Sequence, residues 1–315
     1  MSDHIPMRVA VVGATGHQGG ATARLLAGLG HRVRTISRRP EAERPALPGV
    51  LVADGDLGRQ EDVRRLLEGA THAAVTMPLV YEAEKVMRYA QHIAKAARGA
   101  RLERVVYNAN TRVPERTTRL AAFETRRLVE TVLREGLADS GTELVVLRPP
   151  VYLDNLFSPW NGPALVDEGV LAYPLPAGCR AAWLSHTDLA RAVAAALTAE
   201  GAGGRTFDIG GAQALTGAEL AEAFGRGLGR TVEYRALEPD VFERALAQIA
   251  GPETARGVAG IYHCMASGTE PGLMADDGGA WTKALAVEPA PVEEWVARQP
   301  WQVWSGASAR TAESA

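Results

Sequence analysis

Three glycines, Gly13, Gly16 and Gly19, follow the apolar run at residues 9–12 and lead into the helical pattern A-T-A-R-L-L-A-G-L. Each spacing has a mechanical use at a phosphate site. Gly13 lets the strand turn sharply, Gly16 lets backbone N–H groups approach a pyrophosphate, and Gly19 lets the helix pack closely on the sheet. The free N–H groups and positive end of that helix then hold the phosphates. Strand, glycine turn and helix in this order predict dinucleotide binding by Gly13, Thr15, Gly16 and Gly19.

The next strand says which dinucleotide. Residues 31–39, H-R-V-R-T-I-S-R-R, place an apolar run where the neighbouring parallel strand belongs, and the run ends on Ser37, Arg38 and Arg39. An NAD site places an acid there to bind both ribose hydroxyls, whereas an arginine accommodates a 2′-phosphate. No acid stands at this strand end, and guanidinium groups bind phosphate through charge-assisted hydrogen bonds. NADP(H) is therefore expected over NAD(H). The alternative is that Arg38 and Arg39 are solvated charges ahead of a Pro-rich loop.

Short apolar runs at residues 50–56, 72–76, 104–108 and 143–150 alternate with helical patterns at residues 61–68, 83–97 and 118–135. Alternation of this kind implies parallel βαβ units with right-handed crossovers. The expected fold is α/β, a Rossmann-type doubly wound parallel sheet whose ligand crevice opens at the carboxyl ends of the strands. Beyond residue 152 the texture changes to S-P-W-N-G-P-A-L and A-Y-P-L-P-A-G-C, which read as loops and short elements. Helical patterns return at 187–199, 216–228, 240–249 and 252–266, with strands at 205–210 and 231–235. The division expected is a cofactor domain at 1–152, a smaller α/β substrate lobe at 153–304 that partly returns to the sheet, and a disordered tail at 305–315. Substrate is expected in the crevice between the lobes.

Composition narrows the class. With 46% apolar residues the 315-residue chain has ample material for a core, and a net charge of −3 without a long basic cluster gives no support for nucleic-acid binding. Two cysteines, Cys179 and Cys264, suggest free thiols in a reducing compartment. No signal pattern or long apolar run is visible, so a cytoplasmic protein without membrane association is expected. Scattered histidines without ligand spacing argue against a metal.

The chain resembles the NmrA-like group of atypical short-chain dehydrogenase/reductases over nearly its whole length. The resemblance is carried by V-V-G-A-T-G-H-Q-G-G, the strand end S-R-R, D-G-D-L at 54–57, F-E-T-R-R-L-V-E at 123–130 and R-P-P-V-Y-L-D-N-L at 148–156. It implies that His17 and Gln18 cover the pyrophosphate, that Asp56 and Leu57 flank the adenine, and that Thr76, Met77 and Pro78 line the cofactor near its ribose. It also implies that Tyr152 and Asn155 lie beside the nicotinamide.

Two departures bear on catalysis. Ordinary short-chain dehydrogenases use Tyr-x-x-x-Lys with a serine, on the helix after the fifth strand; the helical pattern at 118–135 contains no tyrosine, and the one Tyr-x-x-x-Lys spacing in the chain, Tyr81 to Lys85, falls after the fourth strand. The helix position where reductases of the resembled group carry a lone lysine is Arg126, which orients a ribose or an anionic oxygen but does not readily give up a proton. The strand end that usually bears serines reads Y-N-A-N, so Asn108 and Asn110 supply amides without an ionisable proton. Arg126, Tyr152 and His186 are the catalytic candidates, with Arg126 and Asn108 also at the cofactor. His186, between Ser185 and Thr187, is expected in the loop that opens the following helix, and Tyr81 and His263 are further proton donors by type. Trp160 and Trp183 are expected to pack inside. The leading function is NADPH-dependent reduction of a small apolar carbonyl, quinone or conjugated substrate. A non-catalytic NADP(H) sensor with a protein partner, or a non-redox biosynthetic enzyme, is the alternative.

Overall fold

A computed structural model describes residues 6–275 and 279–306. Strands β1 (Arg8–Val12), β2 (Arg32–Ser37), β3 (Val50–Asp54), β4 (His72–Thr76), β5 (Arg104–Asn108), β6 (Glu143–Arg148) and β8 (Thr206–Asp208) form one parallel sheet in the order β3-β2-β1-β4-β5-β6-β8. The strand order reverses at β1. That reversal opens a crevice at the carboxyl ends of β1 and β4, where a doubly wound sheet takes its ligand.

Period-2 alternation decides which side chains meet which layer. Ala10, Val12, Ala73, Val75, Val105, Tyr107, Leu144 and Val146 share one core with helices α2 (Gln60–Leu67), α3 (Ala83–Ala100) and α4 (Ala121–Leu137). Val9, Val11, Ala74, Val106 and Val145 are buried on the opposite face, where α1 (His17–Gly28) packs with α5 (His186–Ala196). Strands covered on both faces read as nearly continuous apolar runs, as these do. The Rossmann-type α/β fold expected from the sequence is the fold observed.

The chain divides into two compact units. One comprises Met1–Pro149, His186–Ile209 and Ala280–Val287, and so includes α9 (Ala280–Leu285); the other comprises Pro150–Ser185, Gly210–Gly279 and Glu288–Ala315. The second unit pairs β7 (Val170–Tyr173) with β9 (Glu233–Ala236) in parallel and carries α6 (Gly217–Leu228), α7 (Pro239–Ala250), α8 (Pro252–Ser267) and α10 (Val292–Ala297). Its core is aromatic, with Tyr173, Trp183, Phe224, Tyr262, Trp295 and Trp301 packed together. Thr216 and Glu219 close a reciprocal capping box at the start of α6.

Two expectations need correction. Trp160 is 48% exposed and not a core residue, whereas Trp183 is buried as expected. His186 is the first residue of α5 instead of a loop residue ahead of it. The expected tail at 305–315 falls outside the described residues from 307 onward. Cys179 and Cys264 are free thiols, and among the described residues no helix is long and apolar enough to cross a membrane.

Candidate functional site

The glycine turn is built as its spacing demands. Gly13 has φ +84°, and a Cβ there would stand 2.5 Å from the Thr76 carbonyl oxygen; a Cβ on Gly19 would stand 2.4 Å from the Gly13 oxygen. Both positions therefore exclude a side chain for reasons internal to the fold. Gly16 differs. It has extended backbone, caps α1 without a side-chain hydrogen bond, and a Cβ there would meet only the Gly13 oxygen, at 3.3 Å. The space beside Gly16 is open, and Gly16 gives the start of α1 no side-chain cap, which fits a pyrophosphate. Thr15 is half-buried in the turn, and His17 is exposed on the first turn of α1 with its ring 6.4 Å from that of His186.

Asn108 ties this turn to the sheet. It is buried at the end of β5, and its Nδ2 donates to Gln18 Oε1 (2.8 Å) and Thr76 Oγ1 (3.5 Å), while its Oδ1 accepts from Asn110 N (3.0 Å). Asn110 takes a left-handed conformation, φ +66°, and its Nδ2 donates to the Met77 carbonyl at 3.1 Å. Its Oδ1 is buried without a protein partner. A strained backbone and an orphaned acceptor at a strand's carboxyl end are marks of a ligand site.

At the end of β2, Ser37 is buried, and its Oγ accepts from the Arg39 N–H at 3.1 Å. Arg38 and Arg39 are exposed, and no carboxylate among the described residues pairs with either. Arg44 donates from Nε to the Arg39 carbonyl (2.9 Å) and pairs with Asp54, which fixes the backbone that presents the two guanidinium groups. Two cations without an internal partner at the ribose position suit a 2′-phosphate.

The D-G-D-L loop is held from within the same unit. Asp56 Oδ1 accepts from Gly58 N (2.8 Å), closing a local turn, so Asp56 shapes the loop and does not cap α2. The Asp56 N–H donates to Asp62 Oδ2 (2.9 Å), and His92 Nδ1 bonds the Leu57 carbonyl (2.8 Å). The Asp56 N–H, aided by Arg65, holds the Asp62 carboxyl below the usual carboxylate range. A lowered native value means that the interaction is complete above the unfolded value and is lost as pH falls through the native one. Asp62→Asn is accordingly expected to cost about 1–2 kcal/mol of stability and to speed amide exchange at residues 56–58 at neutral pH, with the difference from wild type shrinking in acid. Hydrogen exchange across a pH series checks this, and identical protection in the two proteins at neutral pH would contradict it.

Arg126 lies on α4 and is 2% exposed. Its Nη1 donates to the Val80 carbonyl and to Thr125 Oγ1, each at 3.3 Å, and its Cζ stands 5.0 Å from the centre of the Tyr81 ring. No carboxylate among the described residues pairs with it, and none of those residues accepts from its Nε or Nη2. A buried guanidinium without a counter-charge is costly to hold, and the Nε/Nη2 edge is the one that grips an anionic oxygen pair. Met77 is buried and Pro78 half-buried on the loop that Arg126 and Asn110 both hold.

Tyr152 and Asn155 belong to the second unit. Tyr152 is buried and forms a backbone bridge with Leu184, while Asn155 Nδ2 donates to the Tyr173 hydroxyl at 2.9 Å. Burial pushes the Tyr173 phenol up to about 12, against the pull of its bonds to Tyr262 and Asn155. Sequence reasoning missed Arg44 and Asp62, which act on backbone groups five and six residues away, and His92, which bonds a carbonyl 35 residues away. The acid in the first turn of α2 was the one local signal for Asp62.

A model of the NmrA-like family matches residues 6–296, nearly the whole chain. The chain belongs to the NmrA-like family. Its relatives include the (4-alkanoyl-5-oxo-2,5-dihydrofuran-3-yl)methyl phosphate reductase of Streptomyces griseus, 31% identical over 240 residues that span 76% of this chain and 80% of that one. NAD(P)H azoreductase of Xenophilus azovorans is 27% identical over 248 residues, spanning 78% of this chain and 82% of that one. Among solved structures, the triphenylmethane reductase of Citrobacter sp., complexed with NADP(H), aligns with a TM-score of 0.70 at 23% identity, covering 91% of this chain and 98% of that one. This last likeness shows the fold alone.

Proposed function

We propose that the protein is an NADPH-dependent reductase of a small, largely apolar acceptor whose reduction forms an anion: a quinone, a carbonyl or a conjugated double bond. The observation that carries the reading is Arg126, a buried cation with an unfilled hydrogen-bonding edge that holds the Val80 carbonyl in the segment following β4. Its charge compensates the negative charge that develops on the acceptor. The names of the two relatives above, both reductases, support the same class. Bound nicotinamide supplies the hydride. Gly13, Thr15, Gly16, His17, Gln18 and Gly19 hold the pyrophosphate, Ser37, Arg38 and Arg39 the 2′-phosphate, and Asp56 and Leu57 border the adenine. Thr76, Met77, Pro78 and Asn108 fix the ribose side. Tyr152 and Asn155 of the second unit and His186 are the further candidates that the resemblance and residue type supply. The free thiols and NADPH use suit the cytoplasm.

Cofactor choice is the first test. NADPH is expected to bind at least about tenfold tighter than NADH, a gap of about 1.4 kcal/mol, and joint Arg38→Ala and Arg39→Ala substitution removes most of it. Fluorescence titration with both nucleotides reads this directly; equal affinities in the unmutated protein would sink it. Activity is tested by NADPH consumption against quinones, enones and azo compounds. Tight NADPH binding with no acceptor reduced selects the sensor reading.

A further inference from the structure

Addition of hydride to a neutral quinone or carbonyl leaves an oxyanion that must take a proton. The side chains that hold the segment after β4 and the end of β5 supply none: Arg126 stays charged, and Asn108 and Asn110 are amides. Tyr81 supplies one. It lies beyond Pro78 in the segment between β4 and α3, on the carboxyl side of the sheet, with its ring half-buried and the Arg126 guanidinium 5.0 Å from its centre. The segment is pinned from two elements, by Asn110 Nδ2 on the Met77 carbonyl (3.1 Å) and by Arg126 Nη1 on the Val80 carbonyl (3.3 Å). No described residue bonds the phenol oxygen. A tyrosine with a fixed ring, an uncommitted hydroxyl and a permanent cation beside it has the parts of the missing acid, with arginine in the role that lysine plays elsewhere.

We propose that Tyr81 is the proton donor of the reaction and that Arg126 stabilises the phenolate it leaves; the proposal rests on the reductase reading above. The acceptor carbon or oxygen that gains the hydride passes its negative charge to an oxygen. The Tyr81 O–H bond breaks, its proton joins that oxygen, and the electron pair remains on the phenolate beside Arg126 until solvent returns a proton. Burial raises the phenol above the ordinary tyrosine value, and Arg126 is the charge that acts against that rise. The group is thus protonated at neutral pH and still has a cation to receive its charge.

Two acceptors separate this role from general damage. A cationic triarylmethane dye such as crystal violet becomes neutral on accepting hydride and needs no proton, whereas 1,4-naphthoquinone needs one. Tyr81→Phe is expected to lower kcat on the quinone by about 10²-fold, within the range for a general acid, while kcat on the dye changes less than about threefold. Ultraviolet difference titration of the protein without nucleotide, against Tyr81→Phe, gives a readout independent of turnover: the Tyr81 phenol is expected to ionise at higher pH in Arg126→Met than in wild type. Equal losses on both acceptors, no loss on the quinone, or an unshifted titration in Arg126→Met would overturn the proposal while leaving the reductase reading in place. Reduction of the dye alone by wild type would do the same. A wild type that binds NADPH and reduces neither acceptor would overturn the reading and the proposal together.

Discussion

Gly16→Val is expected to leave the protein folded and unable to bind NADPH. The backbone at Gly16 is extended, φ −96° and ψ 176°, a conformation that valine adopts without strain. A Cβ there meets one atom, the Gly13 oxygen at 3.3 Å, so the fold absorbs the side chain by a shift of a few tenths of an ångström. The branched methyls then stand in the open space at the start of α1, where phosphate oxygens must come within hydrogen-bonding distance of N–H groups. Affinity should fall more than about 100-fold, or about 2.7 kcal/mol, with little change in Tm. Gly13→Ala makes the contrast, because φ +84° and the Thr76 carbonyl at 2.5 Å damage the turn itself. Thermal melts by circular dichroism and nucleotide titration on the same samples distinguish the two. Full NADPH binding by Gly16→Val would place the nucleotide elsewhere.

Much of the sheet was legible because its order is local. The boundaries of β4 and β5, His72–Thr76 and Arg104–Asn108, coincide with the apolar runs read from sequence, since strands buried on both faces carry the signal in every residue. By contrast β7, Val170–Tyr173, is four residues long and pairs with β9, far along the chain. A strand that short has too few residues to establish a period, and its partner cannot be read from its neighbours. The six-residue helices α9 and α10 escape for the same reason. Trp160 misled because size and apolarity describe what a residue would bury, not whether the local chain turns it inward.

The site divides along the same line. The glycine turn is legible because Gly13, Gly16 and Gly19 act within one strand, one turn and one helix. Arg38 and Arg39 are legible as charges at a strand end, but that Arg44 holds the Arg39 carbonyl depends on the path of the intervening turn, which no residue type announces. The hold of Asp62 on the Asp56 N–H is local but depends on how the loop turns into α2, and that of Asn110 on the Met77 carbonyl depends on loops brought together by the sheet. Arg126 stood out by resemblance alone. Its environment, a single nitrogen bonded and a tyrosine ring beneath, could come only from the structure.

That environment makes Arg126→Ala the second large effect. An arginine on the outer face of α4 would change stability by about 0.5 kcal/mol or less on truncation and do nothing else. Arg126 is 2% exposed, so the substitution removes packing as well as charge, and a stability loss alone does not identify its role. The decisive comparison uses three forms under conditions where all are folded: wild type, Arg126→Ala and Arg126→Lys. If the guanidinium compensates the anion formed on the acceptor, Arg126→Ala lowers turnover by about 10²-fold, in the range for losing one preorganised electrostatic contact. Arg126→Lys restores part of that loss, because it returns the charge without the forked edge. It also adds a group able to give up a proton. NADPH affinity, titrated in parallel, shows whether the same edge grips the ribose. If both turnover and affinity in Arg126→Ala match wild type, Arg126 leaves the site, and Tyr152 and His186 become the residues to test.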